Sequence, residues 1–167
     1  MAEGGYADIF RVTTEAKTLS LLNNEEQEYA LKRMFIPSES SKNGNAAAVR
    51  KAFECEVRVL SSLPHCDNLI GMVDQQENQK LDGKEVFILL EYCPNGTLFD
   101  LIESKCKLGK DGISDEAELY KILNDISNGL RVLHGKSIAH RDLKIENVLQ
   151  GEDFKWKICD FGSCTTQ

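Results

Sequence analysis

The strongest constraint on the fold is a pair of polar stretches near the end of the chain. His140-Arg141-Asp142-Leu143-Lys144-Ile145-Glu146-Asn147 packs five ionisable side chains into eight residues, and Asp160-Phe161-Gly162 begins thirteen residues after Asn147. Between them lie two short strand candidates, 147–150 and 155–159, around Gly151. Charged loops are common, but an ordered set of residue types held at this spacing by two short strands is not.

Composition narrows the class of protein. The chain has 167 residues, 41% hydrophobic and 28% charged, with a net charge of -7, which describes a soluble globular chain of about one domain. An acidic chain with no Lys/Arg block lacks the field that draws polyanions, so nucleic acid and anionic membrane are excluded as first expectations. The longest apolar run, Val86 to Leu90, is far too short to span a bilayer, and the N-terminus shows no secretory pattern. No transmembrane segment is expected. Six cysteines without a CxxC pair, and three histidines without metal-ligand spacing to them, read as reduced thiols in a cytoplasmic protein. Asn95-Gly96-Thr97 matches the glycosylation sequon but, without a signal peptide, reads as turn residues.

Along the chain, 6–12 and 28–35 read as strands. A polar loop at 38–45 precedes a helix over 46–63, where Val49, Phe53, Val59, Leu60 and Leu63 recur at near-helical spacing up to Pro64. Two further strands are expected at 69–74 and 85–91, with Asp82-Gly83 as a tight hairpin turn. Residues 97–103 suggest one or two helical turns. Asp115 to Leu133 reads as a helix capped by Asp115, with Leu119, Ile122, Leu123, Ile126, Leu130 and Leu133 on its apolar face. A strand-rich first half followed by a helix-led second half gives an α+β fold.

Upstream residues carry weaker signals. Gly4-Gly5 is an ordinary glycine turn taken alone, yet it also allows backbone NH groups to approach a phosphate between strands. The full G-x-G-x-x-G is not met, since its outer glycines fall on Ala2 and Ala7. Lys32 in Tyr29-Ala30-Leu31-Lys32 sits on a strand, where a lone lysine is usually the solvent side of a sheet. Glu56 follows 24 residues later among Val57, Val59 and Leu60. A carboxylate there is costly to bury without a cation, and a Lys32–Glu56 pair removes that cost. Glu54, two residues away on a different face of the helix, is the alternative partner.

His140 to Asn147 and Asp160-Phe161-Gly162 match H-R-D-L-x-x-x-N and D-F-G, and with Lys32 and Glu56 upstream in order the chain resembles a protein kinase. The resemblance implies ATP and Mg2+ as cofactors. It assigns Asn147 and Asp160 to the metal, Asp142 to the acceptor hydroxyl proton, and Lys32, paired with Glu56, to the nucleotide phosphates. Lys144, the choice of Ser/Thr kinases, would meet the transferring phosphate. Ala2, Glu3, Gly4, Gly5, Tyr6, Ala7 and Ile9 would form the nucleotide loop and its strand, with Ala30 beside them. Leu90 would be the gatekeeper behind the adenine, and the backbones of Glu91 and Cys93 its hydrogen-bonding hinge. The implied fold is a small antiparallel-sheet N-lobe with one helix over 1–92, then the beginning of a helical C-lobe over 93–167.

Ala2-Glu3-Gly4-Gly5-Tyr6-Ala7, Ala30-Leu31-Lys32-Arg33 and Cys159-Asp160-Phe161-Gly162-Ser163 are further similar to the Numb-associated kinases, a family that includes the adaptor-associated and cyclin-G-associated kinases. That resemblance implies Ser/Thr phosphorylation of protein substrates, clathrin-adaptor or actin-regulatory partners, and a cytoplasmic location peripheral to endocytic membranes. The chain starts inside the nucleotide loop and stops five residues after Gly162, so it reads as a kinase fragment that transfers no phosphate by itself. The later helices of such a domain would cover Leu119, Ile122, Ile126 and Leu130, which are therefore expected to lack cover here. A second reading makes the chain a short, non-catalytic product that binds nucleotide or a partner.

Overall fold

A computed structural model of the chain describes residues 3–4, 7–14, 27–38, 46–109 and 112–166. Ala2, Gly5, Tyr6 and the loop expected at 38–45, apart from Ser38, lie outside the described residues. The chain divides into two compact units, one of residues 1–53 and 72–92, the other of 54–71 and 93–167.

The first unit is a five-stranded sheet in the order β1-β2-β3-β5-β4, every neighbouring pair antiparallel. Its strands are β1 (Glu3–Gly4), β2 (Ala7–Thr14), β3 (Gln27–Pro37), β4 (Met72–Lys80) and β5 (Gly83–Glu91). The register Lys32↔Ile88, Met34↔Val86 and Ala30↔Leu90 sets alternate residues of β3 and β5 on one face. Apart from Lys32 that face is apolar: Met34, Ile36, Val86, Ile88 and Leu90 are buried, as are Val49 and Phe53 of α1 (Ala46–Ser62). At the end of β5, the Arg11 guanidinium lies 5.2 Å from the centroid of the Tyr92 ring and also pairs with Glu28 of β3.

Two expectations for this unit need correction. The strand placed at 69–74 begins at Met72 and runs through polar residues to Lys80, because β4 is an edge strand with solvent on most of its length. The hairpin turn is Leu81-Asp82, since Lys80 already pairs with Gly83. Gly83 serves packing instead: a Cβ there would stand 2.3 Å from the Ile36 carbonyl oxygen.

The second unit is built on α2 (Leu98–Lys107) and α3 (Glu116–Gly135). Thr97 caps α2 through a reciprocal box, its Oγ1 accepting from the Asp100 N–H at 3.0 Å while the Asp100 carboxylate accepts from the Thr97 N–H at 2.8 Å. Asp115 caps α3 by accepting from the Ala117 N–H at 2.9 Å. Asn95, in the sequon-like turn, uses its amide to donate to the Gly151 carbonyl at 2.7 Å.

The core of this unit joins Leu98 of α2, Ile122 of α3, Val148 and Trp156. Each such buried side chain contributes about 1.5–3 kcal/mol. Contrary to the sequence expectation, Ile122 does not lack cover and Ile126 packs partly buried against the same core, whereas Leu119 is exposed and Leu130 is half-buried. The inward face of α3 is Ile122, Asp125, Gly129 and Leu133. Residues 54–71 group here because Asn68 to Ile70 run beside Trp156–Ile158. The Ile158 N–H donates to the Asn68 carbonyl at 3.0 Å, and the Ile70 N–H to the Ile158 carbonyl at 2.9 Å.

Candidate active site

Two short ladders hold the polar stretches in place. β7 (Val148–Gln150) pairs antiparallel with β8 (Trp156–Ile158) in the register Val148↔Ile158. β6 (Ile138–Ala139) pairs with β9 (Thr165–Thr166). The loop of 140–147 thus leaves β6 and enters β7, while 159–164 leaves β8 and enters β9. Both loops are pinned at both ends, and the Cys159 N–H donates to the Asn147 carbonyl at 3.0 Å where they meet.

Within the first loop, Asp142 is held on several sides. Lys144 Nζ donates to Asp142 Oδ2 at 3.0 Å, and Asn147 Nδ2 donates to the Asp142 carbonyl at 2.9 Å and to Oδ2 at 3.1 Å. These bonds hold the Asp142 carboxyl below the usual carboxylate range, the Lys144 hydrogen bond being the largest cause, and the same bond pushes the Lys144 ammonium up. Asp142 is consequently an ionised acceptor at neutral pH. Asn147, 7% exposed, spends its amide nitrogen on Asp142, which turns its amide oxygen away from that carboxylate. The Ile145–Asn147 turn, a single turn of 3-10 helix closed by the Asn147 N–H to the Lys144 carbonyl at 2.9 Å, sets that orientation.

His140 links the two loops. The Asp142 N–H donates to His140 Nδ1 at 3.3 Å, which leaves Nε2 to carry the proton and donate to the Cys159 carbonyl at 3.0 Å. Its ring meets Phe161 edge-on with centroids 5.6 Å apart, and Phe161 is fully buried. Sequence reasoning gave His140 no role, although its place at the head of the motif was the available signal. Within these two loops, two non-glycine residues adopt left-handed backbone, Arg141 at φ 68° and Asp160 at φ 65°. Such strain persists only where the surrounding structure imposes it.

Glu56 of α1 is 2% exposed. Glu54, the alternative, is exposed, so the helix turns Glu56 inward. In this unit Asp160 and Glu56 both act electrostatically on the Cys164 thiol, which places them in one neighbourhood. In the first unit, the register Ala7↔Met34, Ile9↔Lys32 and Ala30↔Leu90 puts Ala7, Ile9, Ala30, Lys32 and Leu90 on one sheet face. Gly4 pairs with Ala7 and Glu3 with Asp8, so Gly4 stands at the end of β1 where it pairs with the start of β2.

Among the described residues no group of three or more His, Cys, Asp or Glu is arranged to hold a metal ion. Asn147 and Asp160 offer two oxygen donors on adjoining loops. A hard divalent cation that keeps water and phosphate oxygens as its other ligands fits such a pair; a thiolate- or imidazole-seeking metal does not.

The protein kinase domain model matches residues 12–167. The chain belongs to the protein kinase domain family. It is 32% identical over 170 residues to a probable serine/threonine-protein kinase of Dictyostelium discoideum, covering 100% of this chain and 14% of that protein. It is 31% identical over 181 residues to the serine/threonine-protein kinase AKL1 of Saccharomyces cerevisiae, covering 99% of this chain and 15% of that protein. The actin-regulating kinase PRK1 of the same yeast is 28% identical over 167 residues, covering 98% of this chain and 19% of the relative. The chain thus spans less than a fifth of the length of each of these relatives. A kinase domain implies ATP with a divalent metal and protein substrates, and no helix among the described residues is long and apolar enough to cross a membrane.

Proposed function

We propose that this chain carries the catalytic elements of a serine/threonine protein kinase that moves the γ-phosphoryl group of Mg·ATP to a protein hydroxyl. The observation that carries the reading is the bonded set Asp142, Lys144 and Asn147 on a loop joined to Asp160 through the Asn147–Cys159 backbone bond. A loose phosphoryl-transfer transition state asks a protein for alignment and neutralised charge more than for covalent chemistry. In this reading Asp142 accepts the proton of the attacking hydroxyl, and Lys144 passes from Asp142 to the transferring phosphate. Lys32, oriented by Glu56, binds the nucleotide phosphates under the loop of Ala2 to Ala7. Ile9, Ala30 and Leu90 enclose the adenine, whose polar edge meets the backbones of Glu91 and Cys93. Asn147 and Asp160 would hold Mg2+, which supplies charge neutralisation to the phosphates.

The Ala2 to Ala7, Ala30 to Arg33 and Cys159 to Ser163 wording supports membership of the Numb-associated kinases, and the similarity to the actin-regulating kinase PRK1 supports an actin-regulatory role. Clathrin-adaptor or actin-regulatory substrates, and a cytoplasmic location at endocytic membranes, follow as part of the same proposal.

The test is phosphotransfer from Mg·ATP to protein serine and threonine by the full-length protein. Asp142→Asn removes the proton acceptor while keeping the side-chain shape, and turnover is expected to fall about 10²–10⁴-fold with Mg·ATP still bound. Undiminished turnover in that variant would contradict the assignment.

A further inference from the structure

Two of the six cysteines meet across the second unit. Cys55 lies on α1 one residue before Glu56, and Cys164 lies two residues after Gly162. Both are buried, and the Cys55 Sγ–H donates to the backbone carbonyl of Cys164 at 3.1 Å. Arg58, one turn further along α1, brings Nη2 to 3.7 Å from the Cys55 sulfur. Of the remaining cysteines, Cys93 is also buried, Cys106 is exposed, and Cys66 and Cys159 are half-buried.

We propose that Cys55 and Cys164 form a closable thiol pair, in which a hydroperoxide oxidant such as hydrogen peroxide converts the two thiols to an internal disulfide tying α1 to the segment after Asp160-Phe161-Gly162. The sulfurs have unequal roles. The Arg58 guanidinium sets positive charge against the Cys55 sulfur, where negative charge develops as that sulfur attacks peroxide. Burial pushes the Cys164 thiol up to about 12, with Cys55, Asp160 and Glu56 adding to it, so Cys164 does not attack peroxide first.

In the first step Cys55 sulfur takes one peroxide oxygen as the O–O bond breaks, giving the sulfenic acid and one water. In the second, the Cys164 sulfur attacks that sulfenic sulfur, the S–S bond forms, the S–O bond breaks, and a second water leaves with the Cys164 proton. The two thiols are oxidised by two electrons and the peroxide is reduced by two. The hydrogen bond from Cys55 to the Cys164 carbonyl is given up on the way, freeing the Cys55 side chain to turn toward its partner. The pairing itself does not depend on the kinase reading. If that reading holds, the tie fixes the two elements that carry Glu56 and Asp160.

The experiment treats the folded chain with hydrogen peroxide at low molar excess, blocks remaining thiols with an alkylating agent, and maps peptides by tandem mass spectrometry. The expected product joins the Cys55 peptide to Ile158–Gln167 with a mass lower by two hydrogens, reversed by dithiothreitol, with fragmentation placing the link at Cys164 and not Cys159. Cys164→Ala should leave a Cys55 sulfenic acid that dimedone traps. Arg58→Met should slow closure several-fold. In guanidinium-unfolded chain the links should scatter over all six thiols. A native chain in which Cys106 alone oxidises, in which Cys55 joins another cysteine, or in which the Cys55–Cys164 link is no more frequent than in unfolded chain would overturn the proposal.

Discussion

Single residues at the site act through their nearest hydrogen bonds, and Asp142 shows how. Its carboxyl is stabilised in the ionised form first by the Lys144 hydrogen bond and then by Asn147. Because its pKa is depressed in the folded protein, the favourable contribution of that charge is present above the ordinary Asp value and is lost as pH falls through the lower folded value. Lys144→Met should therefore move the Asp142 carboxyl titration, followed by carbon NMR, upward toward the ordinary Asp value, with the Asn147 bonds leaving a smaller residual depression. A titration that does not move would show that Lys144 is not the group holding Asp142 ionised. The identities of Asp142, Lys144, Asn147 and Asp160 were legible in the sequence as a motif. The bonds among them were not, and neither was His140 as the tie between loops, because a backbone carbonyl such as that of Cys159 leaves no mark in a pattern of side chains.

At the scale of elements, long periodic segments were the readable ones. The sequence places α1 at 46–63 and the structure gives Ala46–Ser62; α3 begins after its Asp115 cap as its pattern requires. The inner face of α3 was read less well, because hydropathy alone selects Leu119 and Leu123 while the buried positions include Asp125 and Gly129. Asp125 is buried because its Oδ2 accepts from the Trp156 N–H at 3.0 Å and satisfies a strand-edge donor of β8. Gly129 is buried because α3 approaches Asn68 closely: a Cβ at this position would lie 2.6 Å from the Asn68 carbonyl oxygen. Gly129→Ala, a change that raises helix propensity, should nevertheless destabilise the protein by about 1–3 kcal/mol, measured by denaturant unfolding. A neutral or stabilising result would mean that α3 is free to move away from that segment. The ladders β6–β9 and β7–β8, of two and three residues per strand, are too short for a period to emerge, and β4 hid its strand character behind polar residues on an exposed edge.

At the scale of the whole molecule, each unit carries its own set of residues. The first supplies a sheet face bearing Ile9, Ala30, Lys32 and Leu90. The second supplies the two pinned loops bearing Asp142, Lys144, Asn147 and Asp160. Kinase-family membership was legible because phosphoryl transfer needs particular side chains in a fixed order. The regrouping of residues 54–71 with the second unit was not, since it depends on backbone bonds from Asn68 and Ile70 to Ile158. The most direct measurement of the central claim replaces Mg2+ with paramagnetic Mn2+ in the nucleotide complex and follows broadening of backbone amide resonances. The account predicts nucleotide-dependent broadening centred on Asn147 and Asp160, and its loss in the Asn147→Ala/Asp160→Ala double variant. Broadening centred elsewhere, or unchanged by that double substitution, would contradict it.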